Sequence, residues 1–156
     1  MEAVWSRFLP HVVRVRDYVV SFASMVLGTP ERVTTMVQSA FTGVDGQTSV
    51  IFGYSSGVQA VLTRISGAGS ANWAIIVGTE VRIELDGVFY SSYGFTVVSR
   101  DGVTTRHEIA HSGRALQHQT IEVARCRAVG EIESDVMPLD ESVSIMDTMD
   151  RVLTHL

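Results

Sequence analysis

The sequence predicts an α+β domain, an open and mainly antiparallel sheet of about six to eight strands with helices packed on one face. Three observations carry this. Apolar residues recur at helical spacing near the start, the period drops to two through the middle, and the helical period returns at the end. Turn residues crowd the middle stretch, so consecutive strands are expected to pair antiparallel through short loops rather than through helical crossovers.

The first helical pattern lies between Pro10 and Gly28-Thr29-Pro30, with Val12, Val13, Val15, Val19, Phe22, Ala23, Val26 and Leu27 as its apolar positions. Valine is a weak helix former, so tertiary packing must hold this segment, and a break over residues 18–21 is allowed. Strands are expected over residues 33–41, 49–54, 58–66, 73–77, 81–85, 88–93, 95–100 and 104–111. Asp45-Gly46, Ser56-Gly57, Gly67 to Gly69, Asp86-Gly87, Gly94 and Asp101-Gly102 separate them and supply positive backbone angles for tight hairpins. After Gly113 a helix with Leu116, Thr120, Val123 and Arg127 in phase is expected to stop at Gly130 in a left-handed cap. A last helix follows Pro138, with Asp140 as N-cap, Glu141 favourable to the helix dipole, and Val143, Met146, Met149, Val152 and Leu153 turned inward.

The chain has 156 residues, 46% apolar and 19% charged, with 17 acidic against 12 basic side chains. This fits one domain over residues 1–156, with a single core and no room for a separate cofactor domain. All the basic residues are arginine, which removes Schiff-base, P-loop and Ser-Lys chemistry. A formal charge of -5 with arginines spread thinly from Arg7 to Arg151 argues against nucleic acid as a partner. No apolar run is long enough for a membrane span and the N-terminus lacks a signal-peptide pattern, so a cytoplasmic setting is expected. The lone Cys126 is read as a small buried hydrophobe, and Met25, Met36, Met137, Met146 and Met149 as core filler.

Several strands are apolar on both faces. Val58, Ala60 and Leu62 alternate with Val61 and Ile65, and residues 73–77 are continuously apolar. One helical layer covers one face only, so the second face is expected to be buried against a second copy, making a homodimer through the open sheet.

Two short motifs invite functional readings. His107-Glu108-Ile109-Ala110-His111 is a literal H-E-x-x-H, which on a helix binds zinc through both histidines and leaves the glutamate to activate water. Here the segment follows a strand pattern, and on a strand His107 and His111 share one face while Glu108 points to the other, so a zinc hydrolase ranks as a distant third reading. Gly67-Ala68-Gly69 begins a near match to a dinucleotide fingerprint, but residues 73–77 read as a strand where the fingerprint needs a helix. No metal is expected, and His118 reads as a surface or half-buried polar residue.

Three stretches together resemble one family. The segment from Met1-Glu2-Ala3-Val4-Trp5 to Arg7-Phe8-Leu9-Pro10 is similar to the M-E-A-x-W-x-R-F-x-P segment of Gfo/Idh/MocA oxidoreductases, in the branch with dihydrodiol and xylose dehydrogenases. Val20-Ser21-Phe22-Ala23 through Leu27-Gly28-Thr29-Pro30, Thr42-Gly43-Val44-Asp45 and Gly78-Thr79-Glu80 continue the match, and Leu116-Gln117-His118-Gln119 through Met137-Pro138-Leu139-Asp140 completes it. The resemblance covers nearly the whole chain but only the family's C-terminal half, a sheet domain that pairs with another subunit and closes over substrate. It implies the substrate-binding and oligomerisation domain of an NAD(P)-dependent oxidoreductase acting on sugars, inositols or diols. The family's N-terminal Rossmann domain and its catalytic lysine are absent, so the chain is expected to bind no cofactor and to be inactive alone, whereas full-length relatives use NAD(P).

The same resemblance puts Trp5, Arg7 and Phe8 on the substrate side, with Arg7 suited to a sugar or diol hydroxyl; Trp5 and Phe8 serve equally well as core anchors and Arg7 as a surface residue. Tyr18 stands at about the distance of the family's acid/base tyrosine, but Arg16-Asp17-Tyr18 lacks the surrounding D-x-G pattern and fits a plain helix as well. The alternative function is a non-catalytic dimerisation or scaffold module.

Overall fold

The computed structural model describes residues 12–41, 45–65, 68–69, 72–108 and 116–154. Its elements run α1 (Val12–Leu27), β1 (Arg32–Ser39), β2 (Asp45–Gly53), β3 (Gln59–Ile65), β4 (Ala74–Val77), β5 (Val81–Leu85), β6 (Gly94–Ser99), β7 (Thr104–Glu108), α2 (Leu116–Val129) and α3 (Leu139–Leu153). The architecture is α+β and every strand pairing is antiparallel, as expected. The seven described strands divide into two ladders, β1-β2-β3 and β4-β5-β6-β7. Each belongs to its own compact unit, one built from residues up to Ala68 and from Cys126 onward, the other from Gly69 to Arg125.

In the first unit the pleat sorts the side chains cleanly. Val33, Val50, Phe52, Ala60 and Leu62 share the inner face of β1-β2-β3, where Phe52 is 1% exposed. Above them α1 packs against β3 and α3 against β1, contributing Val20, Ala23, Ile145, Met149 and Val152 to one core. Burying large side chains completely is worth about 1.5–3 kcal/mol each, so this cluster is what holds the valine-rich α1 helical. The allowed break at residues 18–21 is not used: α1 is continuous.

Local chemistry explains the boundaries. The β2–β3 and β6–β7 hairpins share one geometry: Gly57 and Gly102 have φ of 83° and 88°, and each donates its N–H to the carbonyl three residues back, Tyr54 and Ser99. Tyr54 and Ser99 then donate to Val58 and Val103, the three-residue loop that glycine at the left-handed position favours. α2 ends at Gly130, φ 79°, where Glu131 N–H reaches the Cys126 carbonyl at 2.9 Å and Gly130 N–H that of Arg127 at 3.4 Å. These are the paired bonds of a Schellman cap, as the sequence predicts.

Four expectations are corrected. Residues 88–93 are not a strand: Val88 has φ 61° and Phe89–Ser91 form a 3-10 turn inside the β5–β6 loop. Leu85 and Asp86 already pair with Phe95 and Gly94, and Phe89 N–H bonds Asn72, so the loop has left the ladder. The N-cap of α3 is Pro138, not Asp140; Asp140 and Glu141 sit in the first turn, and the Glu133 carboxylate accepts the Leu139 N–H at 2.9 Å. Finally, α3 turns Ile145, Thr148, Met149 and Val152 inward, leaving Val143, Met146 and Leu153 exposed. Met25 and Met36 are also exposed rather than core filler, whereas Cys126 is buried as expected.

Candidate functional site

The residues singled out from the sequence are distributed unevenly. Trp5, Arg7, Phe8 and His111 lie outside the described residues, as do Gly67 and the positions next to Ala68-Gly69. Tyr18 lies in the second turn of α1, the helix that packs on β3 and α3. Within one turn of it, Val20 and Ser21 are drawn into the interior: Val20 is 2% exposed and the Ser21 hydroxyl is buried with no hydrogen-bond partner among the described residues.

The H-E-x-x-H segment is a strand where it is described. His107 and Glu108 end β7, and the His107 ring stacks on Phe95, its register partner in β6, with centroids 4.7 Å apart and planes at 17°. Adjacent strand residues point to opposite faces, so Glu108 is turned away from the side His107 occupies. Among the described residues no group of three metal-ligating side chains occurs. The second unit's ionic chemistry lies instead between Arg106 and Asp86, which meet through two bonds of 2.6 Å. That bidentate hydrogen bond, with the guanidinium charge beside it, lowers the Asp86 pKa below the ordinary carboxylate range. Arg82 similarly meets Glu84 at 2.6 Å on the same face of the sheet.

The described strands are also the wrong setting for a dinucleotide. Ala74–Val77 is a strand paired antiparallel to β5, and no parallel βαβ crossover occurs among the described residues, so none of them forms a pyrophosphate cradle at a helix N-terminus. No step through a nicotinamide is therefore assigned to them.

What β1-β2-β3 offers is a second face. Thr34, Ile51 and Val61 form one cross-strand row, and Met36, Ser49 and Thr63 the next, all on the side away from the helices. Met36, Val61 and Ile51 are 77%, 70% and 44% exposed, and Ile65 closes the row beyond. This is the side that the alternation of Val61 and Ile65 with Ala60 and Leu62 marks in the sequence.

Sequence reasoning missed three polar residues on the inner face. Arg64 and Thr48 are directly opposed across β2 and β3 and both are buried, and Thr35 occupies the next row on β1. The hydroxyls of Thr35 and Thr48 have no hydrogen-bond partner among the described residues. The parity was readable: Arg64 follows Ala60 and Leu62 at a spacing of two, which sends a charged residue toward the core.

No protein-family profile matches the chain. It is 31% identical over 149 residues to the trans-1,2-dihydrobenzene-1,2-diol dehydrogenase of Xenopus laevis, covering 89% of this chain and 44% of that enzyme. Among solved structures it is similar to a 3-ketoreductase from Actinomadura kijaniata, determined with TDP-benzene and NADP, with TM-score 0.71 and 18% identity over 92% of this chain and 46% of that one. It is also similar to the aldose-aldose oxidoreductase of Caulobacter crescentus, with TM-score 0.70 and 16% identity over 89% of this chain and 43% of that one. At such identities the structural matches establish the fold. The chain spans about half the length of the curated relatives it matches.

Proposed function

We infer, for a chain that belongs to the Gfo/Idh/MocA-type oxidoreductases, that it is the substrate-binding and oligomerisation half of an NAD(P)-dependent enzyme acting on sugars, inositols or diols, and that it does not turn over alone. The observation that carries this is the two-sided sheet β1-β2-β3. Its inner face is sealed by α1 and α3, while its outer face presents Met36, Ile51, Val61 and Ile65 to solvent. An apolar surface of this kind on a sheet calls for a cover. A second copy supplies one economically, because a two-fold axis lets one patch serve both sides.

On this reading Tyr18 is the acid/base group, and Trp5, Arg7 and Phe8 belong to the substrate side, with Arg7 suited to a substrate hydroxyl. The hydride chemistry belongs to NAD(P) bound elsewhere in a complete enzyme, since a phenol alone moves protons and not hydride. Support for the substrate class comes from the dihydrodiol dehydrogenase of Xenopus laevis and the aldose-aldose oxidoreductase of Caulobacter crescentus, whose names place diols and sugars among what such proteins act on.

Sedimentation equilibrium on the purified chain tests the assembly half of the proposal: a mass of twice 17.0 kDa is expected, and a monomer at micromolar concentration overturns it. Assay with NAD(P) and a trans-dihydrodiol tests the other half. No turnover is expected from the chain alone, and steady NAD(P)H production overturns the inactivity.

A further inference from the structure

α3 carries two apolar stripes, and among the described residues only one of them is covered. Ile145, Met149 and Val152 follow helical spacing into the core beside α1 and β1. About a third of a turn around the helix, Leu139, Val143 and Met146 repeat that spacing, and they are 51%, 67% and 47% exposed. The connection leading into α3 extends this second stripe. Met137 packs against the core, but its neighbour Val136 is 80% exposed and Ile132 89%. Bonds within the connection hold it in that form. Met137 N–H reaches the Ser134 carbonyl at 3.2 Å, Val136 N–H reaches the Ser134 hydroxyl at 3.1 Å, and Leu139 N–H is taken by the Glu133 carboxylate.

The charge around this stripe has one sign. Residues 131–150 hold seven of the chain's 17 acidic side chains and no basic one, leaving ten acidic against 12 basic side chains for the rest, so this stretch alone makes the chain anionic. Asp147 lies one turn from Val143, Asp150 one turn from Met146, and Asp140 beside Leu139, all three exposed. The one arginine of α3, Arg151, is engaged elsewhere: its guanidinium donates to the Pro30 and Glu31 carbonyls at 2.8 Å. Among the described residues no arginine forms a salt bridge with Asp140, Asp147 or Asp150. A contiguous apolar stripe in water calls for a cover, and a rim of one sign selects the charge of what covers it. A second copy is disfavoured here, because a two-fold axis would set this rim against itself. Nucleic acid and anionic lipid carry the same sign as the rim and are disfavoured with it.

We propose that the outer stripe of α3, with Ile132 and Val136 beside it, is a docking surface for a cationic amphipathic helix of another polypeptide. A straight ridge of Leu139, Val143 and Met146 matches the apolar ridge of a second helix laid along it. Lysine and arginine stems flanking that ridge cover further apolar surface while their charged ends reach Asp140, Asp147 and Asp150. Met146 adds an adaptable contact that tolerates partners of differing shape. The proposal does not depend on the substrate-binding reading, and it leaves the outer face of β1-β2-β3 to the second copy.

The test is fluorescence anisotropy of a labelled leucine–lysine peptide of α3's own length, its leucines at helical spacing, titrated with the full chain. Saturable binding is expected, and Val143→Ser, at an exposed position outside the core, should weaken it by at least about tenfold. Asp147→Asn combined with Asp150→Asn should weaken it at low salt and flatten its salt dependence. Two control peptides separate the contributions: the same residues scrambled out of helical phase, and a leucine–glutamate peptide in the original pattern. Each is expected to bind at least about tenfold more weakly. No binding of the patterned peptide, or binding untouched by Val143→Ser, overturns the proposal. Equal binding of the scrambled peptide overturns the role of the apolar stripe, and equal binding of the leucine–glutamate peptide overturns the charge selection. A fall in the chain's own sedimentation mass on Val143→Ser would give the stripe to a second copy. Flotation with phosphatidylcholine vesicles that Val143→Ser abolishes would give it to a lipid surface, and either result overturns the proposal.

Discussion

Ile51 and Val61 stand directly opposite one another across the β2–β3 ladder, on the side of the sheet turned away from the helices, 44% and 70% exposed. Their inward neighbours Phe52 and Ala60 are opposed in the same way beneath the helices. One pair of strands thus carries apolar cross-strand pairs on both faces, and among the described residues only one of the two has a cover. In a two-fold dimer each substitution acts twice. Val61→Glu removes about 1.5–3 kcal/mol of burial per copy and adds a charge to be desolvated, so the dissociation constant should rise by at least about a hundredfold. Analytical ultracentrifugation should find monomer with an unchanged circular dichroism spectrum; a dimer of undiminished affinity would place the interface elsewhere.

Tyr54 closes the same core beside the β2–β3 hairpin. It is 7% exposed, its hydroxyl has no hydrogen-bond partner among the described residues, and burial pushes its phenol pKa up. Only its backbone is engaged by the turn, through Val58 and Gly57. Tyr54→Phe should therefore leave stability unchanged or raise it by about 1 kcal/mol in urea denaturation, because it removes an unsatisfied polar group without opening a cavity. The pH sign follows from the raised pKa. The neutral phenol's contribution is present below its ordinary value and lost as pH rises through the raised one, so the variant should also lose less stability at alkaline pH. A loss of more than about 1 kcal/mol at neutral pH would show that the hydroxyl has a partner in solution.

Period and punctuation made the sheet legible, and side-chain direction within helices and loops was where reading the sequence failed. Alternation placed Ala60 and Leu62 against Val61 and Ile65 on opposite faces, as the structure has them. Gly130 reads as a helix stop because a left-handed cap needs the same residue wherever it occurs. Val88 could not be read this way: a β-branched residue with φ 61° is disfavoured by its own sterics and is held there by the loop around it. On α3, apolar residues at Val143, Ile145, Met146, Met149 and Val152 fit two overlapping stripes, and only the position of α1 and β1 chooses the one through Ile145, Met149 and Val152. For the candidate site, Tyr18 could be placed on its helix from spacing, whereas the Thr35, Thr48 and Arg64 group requires a strand register that sequence does not print.

In the second unit, Asp86 and Arg106 offer a direct electrostatic check. Both carboxylate oxygens accept bonds from the guanidinium, and this bonding lowers the Asp86 pKa. A carboxylate whose pKa falls on folding stabilises the folded chain above its ordinary value, and that contribution is lost as pH falls through the lowered one. Carbon-detected NMR titration should find Asp86 ionising below the ordinary aspartate range, and Arg106→Gln should return it toward that range. Because the pair is exposed, added salt should narrow the difference. An ordinary titration in the unaltered protein would mean that the bidentate contact does not persist in solution.

Gly94 tests the packing of the same sheet. The sequence assigns it to a turn, yet it is a buried residue of β6, opposite Glu108 in the ladder, without a positive φ. Its role is close approach: a Cβ there would run into the His107 carbonyl and lie 2.7 Å from a terminal nitrogen of Arg106. The side chain can swing aside, but the carbonyl belongs to the backbone of β7 and moves only by distorting the ladder. Gly94→Ala should therefore cost about 1–3 kcal/mol, the usual penalty of overpacking, read as a lowered urea midpoint. Gly87→Ala is the matched control, since its Cβ would meet nothing within 4 Å, and it should change stability by no more than about 0.5 kcal/mol. The displaced Arg106 supplies a second readout, because a guanidinium pushed off Asp86 lets that carboxyl titrate closer to its ordinary value. Equal stability of the two variants, with Asp86 unmoved in the Gly94→Ala protein, would show that β6 and β7 stand further apart at this rung than the close approach to the His107 carbonyl implies.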